Sequence, residues 1–400
     1  MKTTTAALRS MVALFFPRLL PLAVGLLILI QARAVTDAQR VRNSDSSVAF
    51  VRIGVLGLFH PRQLMVTAAA GSALVVQADE ERIVLERSSG RSAASVRVSG
   101  SGVVVQAGRS VVRASALYVS GRKNEPVDFV LAVPGKIERH YRGRLEIRPG
   151  SGQLIAVITM DRETAVASVV AAESATDTPL EALKAQAVAA RSYLVAGRGR
   201  HHDFDFCDTT HCQFLREPPA IDSAATKAVA ATRDMVMAYD SQPFAAMYTH
   251  SCRGRTRTPT ELRLPPAAYP YYSVECKYCR SHPARWSSRI SAQDAAGLHS
   301  SDESARLNID RRLGWSTVPS NDFSMKKQGD QVVLEGTGQG HGIGLCQSGA
   351  RAMAAQGADF RQILTHYYPN TTIVSLPWQV YRGEKRNATN LNGPVAVAHY

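Results

Sequence analysis

An alanine-rich stretch with a marked beginning and end places the strongest local constraint on this fold. The segment Thr178-Pro179-Leu180-Glu181 has the pattern of a capping box with proline at the first helical position, where a missing amide costs no hydrogen bond. The sequence therefore predicts a helix over about 179–196, ended by Gly197. Lys184 and Arg191 recur at i and i+7 and share one face of this helix.

Glu173 lies just before the turn that starts this helix, so the chain reversal predicts a carboxylate near that face. Acidic residues in such a setting are most often solvated, and the residue type alone does not select Glu173 for catalysis. An acid that acts at neutral pH needs a raised pKa, whereas a close cation lowers the pKa of a carboxyl group. We therefore expect Lys184 and Arg191 to stand apart from Glu173.

The first 34 residues have the pattern of a secretory signal peptide. Lys2 and Arg9 precede an apolar stretch over 19–30, and Ala32-Arg33-Ala34 supplies a small-residue cleavage site. The apolar run is shorter than the roughly 18 to 20 residues that cross a bilayer, so an uncleaved anchor is the weaker alternative. The sequence predicts an exported protein of the periplasm or cell envelope, with no membrane span after signal cleavage.

The chain carries a net charge of +14, and loss of the four cations in the predicted signal peptide leaves +10. Export makes anionic wall polymers or membrane surfaces the expected partners, and nucleic acid is not expected. The basic residues are scattered without a run of five or more, which is also typical of an ordinary solvated surface.

The remaining 366 or so residues exceed the length of one typical domain. Short β-branched runs separated by glycine and serine turns occupy 49–119 and predict a β-rich region over 35–143. Helical patterns follow, which predicts an α+β fold with a second region over 144–375. The asparagine- and glycine-containing tail, 376–400, is expected to be flexible.

The segment 201–213 contains two cysteines and three histidines, which are the ligand types that zinc prefers. A disulfide between Cys207 and Cys212, with exposed histidines, is the alternative in an exported protein.

A glycine-rich segment, 336–350, lies between a predicted strand and a predicted helix, as a dinucleotide-binding turn would. However, no G-x-G-x-x-G register opens a βαβ unit here, no Walker lysine is present, and the chain soon ends.

Three separated motifs resemble the stage II sporulation protein D (SpoIID) family, which includes the LytB-type amidase enhancers. The first is Ala182-Leu183-Lys184-Ala185-Gln186-Ala187-Val188-Ala189-Ala190-Arg191-Ser192-Tyr193, with Glu173 eleven residues before its lysine. The others are the central turn over 249–256 and the closing Gly340-His341-Gly342 turn, followed by Gln347 and Gly349-Ala350. Cys346 and Ser348 stand where family members usually have serine and tyrosine. The resemblance covers about 144–375.

The resemblance implies a substrate cleft and a peptidoglycan lytic transglycosylase that cleaves the bond between N-acetylmuramic acid and N-acetylglucosamine, leaving a 1,6-anhydro sugar. Glu173 is the implied general acid and base, because one carboxyl group suffices when the substrate's own C6 hydroxyl attacks C1. The implied substrate is a glycan strand stripped of peptide. The residues that the resemblance implies for substrate binding are Lys184, Gln186, Arg191, Tyr193, His341 and Gln347.

The resemblance also implies a structural zinc held by His201, Cys207, His211 and Cys212, with His202 as an alternative to His201. Two other functions remain open from the sequence. One is a non-catalytic activator or glycan-binding partner of a cell-wall amidase, and the other is a zinc-dependent hydrolase.

Four further cysteines lie outside that segment: Cys252, Cys276, Cys279 and Cys346. The Cys276-x-x-Cys279 pair is compatible with a redox, zinc or structural role, and no thioredoxin-like βαβ unit surrounds it. The preferred expectation is a structural disulfide from Cys252 to Cys276 or Cys279, with Cys346 as a partner or a free thiol.

Overall fold

The computed structural model describes residues 49–199 and 201–376. The predicted signal peptide, 1–34, and the predicted tail beyond Leu376 lie outside the described residues. Strands and helices both contribute to the described part of the chain, which confirms the α+β class and its β-rich beginning. Within 49–199 and 201–376, no helix has the length and apolar character needed to cross a membrane.

The described residues form twenty strands in four sheets. In chain order the strands are β1 Phe50–Val55, β2 Gln63–Ala68, β3 Ala73–Ala78, β4 Glu81–Glu86, β5 Ala93–Ser99, β6 Gly102–Ala107, β7 Ser110–Ala114, β8 Leu117–Ser120, β9 Val127–Val133, β10 Ile137–Gly150, β11 Gln153–Asp161, β12 Phe206–Cys207, β13 Met235–Tyr239, β14 Gln242–Pro243, β15 Tyr248–Thr249, β16 Arg285–Ser291, β17 Phe323–Gln328, β18 Gln331–Thr337, β19 Leu345–Cys346 and β20 Thr372–Ser375.

The largest sheet has the order β12-β1-β11-β10-β9-β2-β5-β6-β7, and β8 joins β10 to the β3–β4 hairpin. In β2, for example, buried side chains alternate with partly buried ones, and Leu64, Val66 and Ala68 belong to the core. Strand β10 runs through the domain boundary that we placed between residues 143 and 144. Strands from both sides of this boundary therefore belong to one sheet, and the division into domains stays a sequence-based prediction.

The described helices lie mostly after this sheet. They are α1 Arg162–Glu173, α2 Leu180–Ala196, α3 Ala224–Ala231, α4 Lys277–Ser281, α5 Ala292–Ala295, α6 Glu303–Leu313, α7 Gln347–Ala355 and α8 Phe360–Tyr367, with 3-10 turns at Gly57–Phe59, Arg87–Ser89 and Pro259–Leu262.

The predicted helix at 179–196 is confirmed as α2, and Gly197 follows it as the C-cap. The predicted capping box is wrong, because Pro179 is the N-cap and no side chain caps the first turn. Glu181 instead accepts hydrogen bonds from Lys184 and from the backbone amide of Phe360 at the start of α8. The carboxylate that we assigned to the local cap thus joins two helices.

Two short pairings bring distant motifs together. The parallel pair β15–β19 sets Tyr248 beside Leu345 and Thr249 beside Cys346, so the central turn lies against the closing motif. The antiparallel sheet β14-β13-β20 packs its buried face near α2. The sheet β16-β18-β17 forms its own small core with α6.

Arg191 ties α2 to α1 through a buried ion pair. Its side chain has 0% exposure, and its Nη2 and Nε atoms donate to the Glu163 carboxylate over 2.7 to 3.1 Å. The guanidinium also donates to the backbone carbonyls of Val229 and Met235, at 3.3 and 3.1 Å. Burial raises the pKa of Glu163, but the hydrogen bonds and charge of Arg191 outweigh it and hold that pKa below its usual value.

Replacing Arg191 with Met should lower the free energy of unfolding by about 3–5 kcal/mol, because the Glu163 carboxylate would be left buried without its cation. Urea unfolding at neutral pH measures this loss. Arg233→Met, at an exposed position, is the matched control and should change the free energy by less than about 0.5 kcal/mol. Equal stability of the Arg191 and Arg233 variants would show that the ion pair does not hold the helices together.

Candidate active site

Glu173 is the last residue of α1 and opens into a pocket between the α1–α2 turn and the closing motif. The pocket has about 420 Å³ of empty space. Its lining residues are Glu173, Ser174, Ala175, Thr178, Ala182, Gln186, His250, Leu345, Gln347, Ser348, Ala350 and Arg351. We expected a substrate cleft that joins the Glu173 region to the Gly340-His341-Gly342 turn. The pocket instead reaches the later part of the closing motif, from Leu345 to Arg351, and the turn itself does not line it.

The Glu173 carboxyl group is partly buried and has one strong polar contact. Its Oε1 accepts a hydrogen bond of 3.0 Å from the backbone amide of Phe214, and Gln347 Nε2 donates to its backbone carbonyl at 3.3 Å. Burial raises the pKa of Glu173 to about 7, although the Phe214 amide acts in the opposite direction. The negative end of the α1 dipole, where Glu173 lies, also disfavours a carboxylate.

Lys184 and Arg191 stand apart from Glu173, as we expected on electrostatic grounds. Lys184 Nζ binds Glu181 Oε1 at 2.6 Å and lies 6.0 Å from the Phe360 ring. Neither cation lines the pocket. For Arg191 the structure corrects the expected role in substrate binding, because a fully buried guanidinium engaged with Glu163 has no surface for a glycan.

The other predicted substrate-binding residues divide into two groups. Gln186 and Gln347 line the pocket, and Gln347 Nε2 donates to Gln186 Oε1 at 3.4 Å. Tyr193 is buried against Phe206, with ring centroids 5.9 Å apart, and does not line the pocket. His341 lies outside the lining as well, where its Nδ1 accepts from the amide of Ile343.

Several residues at the pocket carried no recognisable signal in the sequence. Arg351 lines it and pairs with Asp177 at 2.8 Å, so the cation at this pocket is not one of the two that we predicted. Tyr248 is close enough that the charge of Glu173, after burial, contributes to raising the pKa of its hydroxyl well above the usual value. Arg351 and Tyr248 are far from Glu173 in the sequence, so only the tertiary structure shows that they lie near it.

The predicted metal segment brings its four candidate ligands together. The ligand atoms of His201, Cys207, His211 and Cys212 all lie within 4.8 Å of one another. His201 Nε2 is 3.2 Å from Cys212 Sγ, and His211 Nδ1 is 3.7 Å from both sulfurs. His202 is 99% exposed and lies outside the group. Two sulfurs and two imidazole nitrogens at these separations fit the tetrahedral shell of one metal ion.

The same segment is fastened to the large sheet and to Glu173. Strand β12 pairs with β1, and the buried Asp208 carboxylate accepts hydrogen bonds from the Leu56 amide and from Arg139, each at 3.1 Å. Burial raises the pKa of Asp208 to about 6. Phe214, which donates to Glu173, follows the last ligand by two residues. A metal ion bound here would therefore fix the position of that amide.

The remaining four cysteines form a second group, which corrects the expected disulfide. All four lie within the described residues as free thiols. The sulfurs of Cys252, Cys276, Cys279 and Cys346 converge within 4.8 Å of one another. Each of these cysteines is buried, and their convergence selects no single pair.

Comparison with known proteins supports the resemblance seen in the motifs. The family model described as "SpoIID: Stage II sporulation protein" matches residues 150–239, which include Glu173, α2 and the metal segment. An uncharacterized protein of Brachyspira hyodysenteriae is 29% identical over 267 residues, which span 58% of this chain and 72% of that protein.

Two further similar proteins come from Bacillus subtilis. Stage II sporulation protein D is 25% identical over 265 residues, covering 53% of this chain and 74% of the relative. The amidase enhancer is 40% identical over 63 residues, or 16% of this chain and 9% of the relative. The chain is thus similar to members of the SpoIID/LytB family, which confirms the resemblance predicted from the three motifs.

Substitution of Glu173 by Gln should change how stability depends on pH. Because the pKa is raised on folding, the wild type is most stable below the unfolded pKa of about 4.5 and loses stability as pH rises through about 7. The variant does not lose stability in this way. The free energy of unfolding of the variant minus that of the wild type should therefore increase by about 1–3 kcal/mol between about pH 4 and pH 8. Urea unfolding across that range measures it.

Glu335→Gln is the matched control, because Glu335 is exposed on β18. Its unfolding is followed over the same pH range. A Glu173 variant whose difference from wild type stays constant between about pH 4 and pH 8 would contradict the raised pKa of Glu173.

Proposed function

We propose that this protein is a peptidoglycan lytic transglycosylase with Glu173 as its general acid and base. The carboxyl group protonates the glycosidic oxygen between N-acetylmuramic acid and N-acetylglucosamine as that bond breaks. The resulting carboxylate accepts the proton of the C6 hydroxyl, which attacks C1 and closes the 1,6-anhydro ring. A pKa of about 7 suits both steps, because the group loses and regains a proton near neutral pH.

The observation that carries the proposal is the composition of the pocket. Glu173 is the one carboxylic acid among the described residues that line it. Hydrolytic glycosidases generally use two carboxyl groups at a defined separation, the second to activate water or to attack the sugar. A single buried acid favours a reaction in which the substrate supplies its own nucleophile.

Polar atoms without protein partners also favour a sugar in this pocket. Thr178 Oγ1 and Gln186 Nε2 are buried, and neither has a hydrogen-bond partner among the described residues. Both side chains line the pocket beside Glu173. Buried polar groups are normally paired, and sugar hydroxyls both donate and accept hydrogen bonds. The proposed partner is a glycan strand, met in the periplasm or cell envelope after export.

We propose that His201, Cys207, His211 and Cys212 hold a structural zinc ion. Four protein ligands complete a tetrahedral shell and leave no open position for water or substrate. Zinc there would keep the loop closed, and Phe214 would then present its amide to Glu173. This arrangement argues against a zinc-dependent hydrolase, whose ion needs an open position.

A second candidate function is activation of a cell-wall amidase. The match to the amidase enhancer favours it, although that match covers only 63 residues. An activator without catalysis would use the same pocket to bind glycan and would release no product alone. The purified protein, incubated with peptide-free glycan strands and no amidase, distinguishes the two functions.

Glu173→Gln should lower cleavage of peptide-free glycan by at least about 10²-fold, because the amide cannot donate the acid proton. Mass spectrometry of released fragments measures the yield of 1,6-anhydro ends. Wild-type cleavage should also fall as pH rises through about 7, when the acid form is lost.

The matched control for this assay is again Glu335→Gln, which should cleave at the wild-type rate. Full cleavage by the Glu173 variant would rule out the assigned acid. Absence of product from both the wild type and the control would favour the amidase activator.

Cys212→Ser should abolish zinc binding at the histidine-containing site, lower the melting temperature and reduce cleavage by about tenfold or more, because the Phe214 amide loses its support. Zinc content, thermal melting and product yield are measured on the same preparation. His202→Ala removes an exposed histidine outside the ligand group and should change none of them. A Cys212 variant with wild-type zinc content would contradict the ligand set.

A further inference from the structure

The four cysteines outside the histidine-containing segment come from three separate parts of the chain. Cys252 lies in the central turn, and Cys346 ends β19. Cys276 is the N-cap of α4, and Cys279 lies in the first turn of that helix. All four are buried, with exposures of 0 to 2%. Their sulfurs lie within 4.8 Å of one another, and those of Cys279 and Cys346 are 3.5 Å apart.

We propose that Cys252, Cys276, Cys279 and Cys346 form a second zinc site, closed and structural. Tetrahedral zinc with Zn–S bonds of about 2.3 Å sets its sulfurs roughly 3.8 Å apart, which matches the observed convergence. An iron–sulfur cluster would spread the four sulfurs further, because several metal ions lie between them. Binding replaces the four thiol protons by one Zn²⁺ ion, which leaves a centre of charge −2.

The surroundings of the sulfurs suit such a negative centre. The backbone amides of Cys252 and Gly349 donate to Cys346 Sγ at 3.4 and 3.5 Å. The Tyr367 hydroxyl donates to Cys276 Sγ at 3.5 Å, and Ser251 Oγ lies 3.5 Å from Cys279 Sγ. Hydrogen bonds of this kind stabilise and orient metal-bound thiolates. A disulfide sulfur is uncharged and gains less from hydrogen-bond donors.

Close packing around the centre also depends on Gly349. A Cβ atom at this position would lie 2.6 Å from Cys276 Sγ and 1.9 Å from the Tyr367 hydroxyl. The first turn of α7 therefore needs glycine to come this close to the sulfurs. The cluster is thus enclosed by backbone and by Tyr367, as a closed structural site requires.

The proposed ion would hold one wall of the Glu173 pocket. Cys252 follows His250 by two residues, and Cys346 precedes Gln347, while both His250 and Gln347 line the pocket. A common ion would lock the central turn against the closing motif, where β15 and β19 pair through only two residues each. This four-cysteine site is separate from the histidine-containing site and does not depend on the proposed enzymatic activity.

Elemental analysis and zinc X-ray absorption on the purified full-length wild type test this directly. Two occupied sites give about two zinc ions per chain and, on average, about three sulfur and one nitrogen ligands per zinc. One zinc with two sulfurs and two nitrogens would overturn the four-cysteine site and keep the histidine-containing one. One zinc with four sulfurs would keep the four-cysteine site and overturn the other.

Variants give an independent readout. Cys279→Ser should lower zinc from about two ions to about one per chain, and the remaining ion should show two sulfur and two nitrogen ligands. Cys212→Ser should leave one ion with four sulfur ligands. Iron in place of zinc, or disulfides among these four cysteines found by mass spectrometry after alkylation without reductant, would contradict the proposal.

Discussion

The buried pair of Glu163 and Arg191 is the interaction on which the site depends most. Arg191 is fully enclosed, and its donors reach α1, the end of α3 and the start of β13, so these elements cannot shift independently. Glu163 lies near the beginning of α1 and Glu173 at its end, ten residues later. At a rise of 1.5 Å per residue, about 15 Å along the helix axis separates the backbone positions of the two residues. Arg191 therefore pairs with Glu163 at the first end of α1, and Glu173 lies at the other end of this helix, away from that cation.

That separation explains how a chain with a net charge of +14 can keep one carboxyl group close to neutral. The nearest predicted cations are occupied, Arg191 by Glu163 and Lys184 by Glu181. At the pocket, Arg351 is engaged by Asp177. Burial then decides the pKa of Glu173, opposed only by the Phe214 amide. Both thiol-containing groups lie close in sequence to residues of this site. Cys212 precedes Phe214, whose amide contacts Glu173, and Cys252 and Cys346 lie near the pocket residues His250 and Gln347.

The sequence predicted the parts of the structure that have local signals. The α2 helix and its glycine end followed from short patterns of residue types. The candidate acid and the histidine-containing ligand group came from the resemblance to the SpoIID family. Helical spacing also placed Lys184 and Arg191 on one face, but spacing does not tell which face is buried, and Arg191 proved to be a core residue. The predicted capping box was wrong because the Glu181 carboxylate accepts a hydrogen bond from the amide of Phe360 in α8. The convergence of four cysteines from three segments has no local signature, so a pairwise disulfide was the natural expectation.

The central claim is that Glu173 holds its proton near neutral pH inside the pocket. Isotope-edited infrared or carbon NMR titration of glutamate carboxyl groups, with Glu173→Gln used to assign the signal, measures this pKa in the full-length protein. The account predicts a value of about 7 for Glu173. A value near the usual 4.5 would contradict it, because the group would then be a carboxylate at neutral pH with no proton to donate.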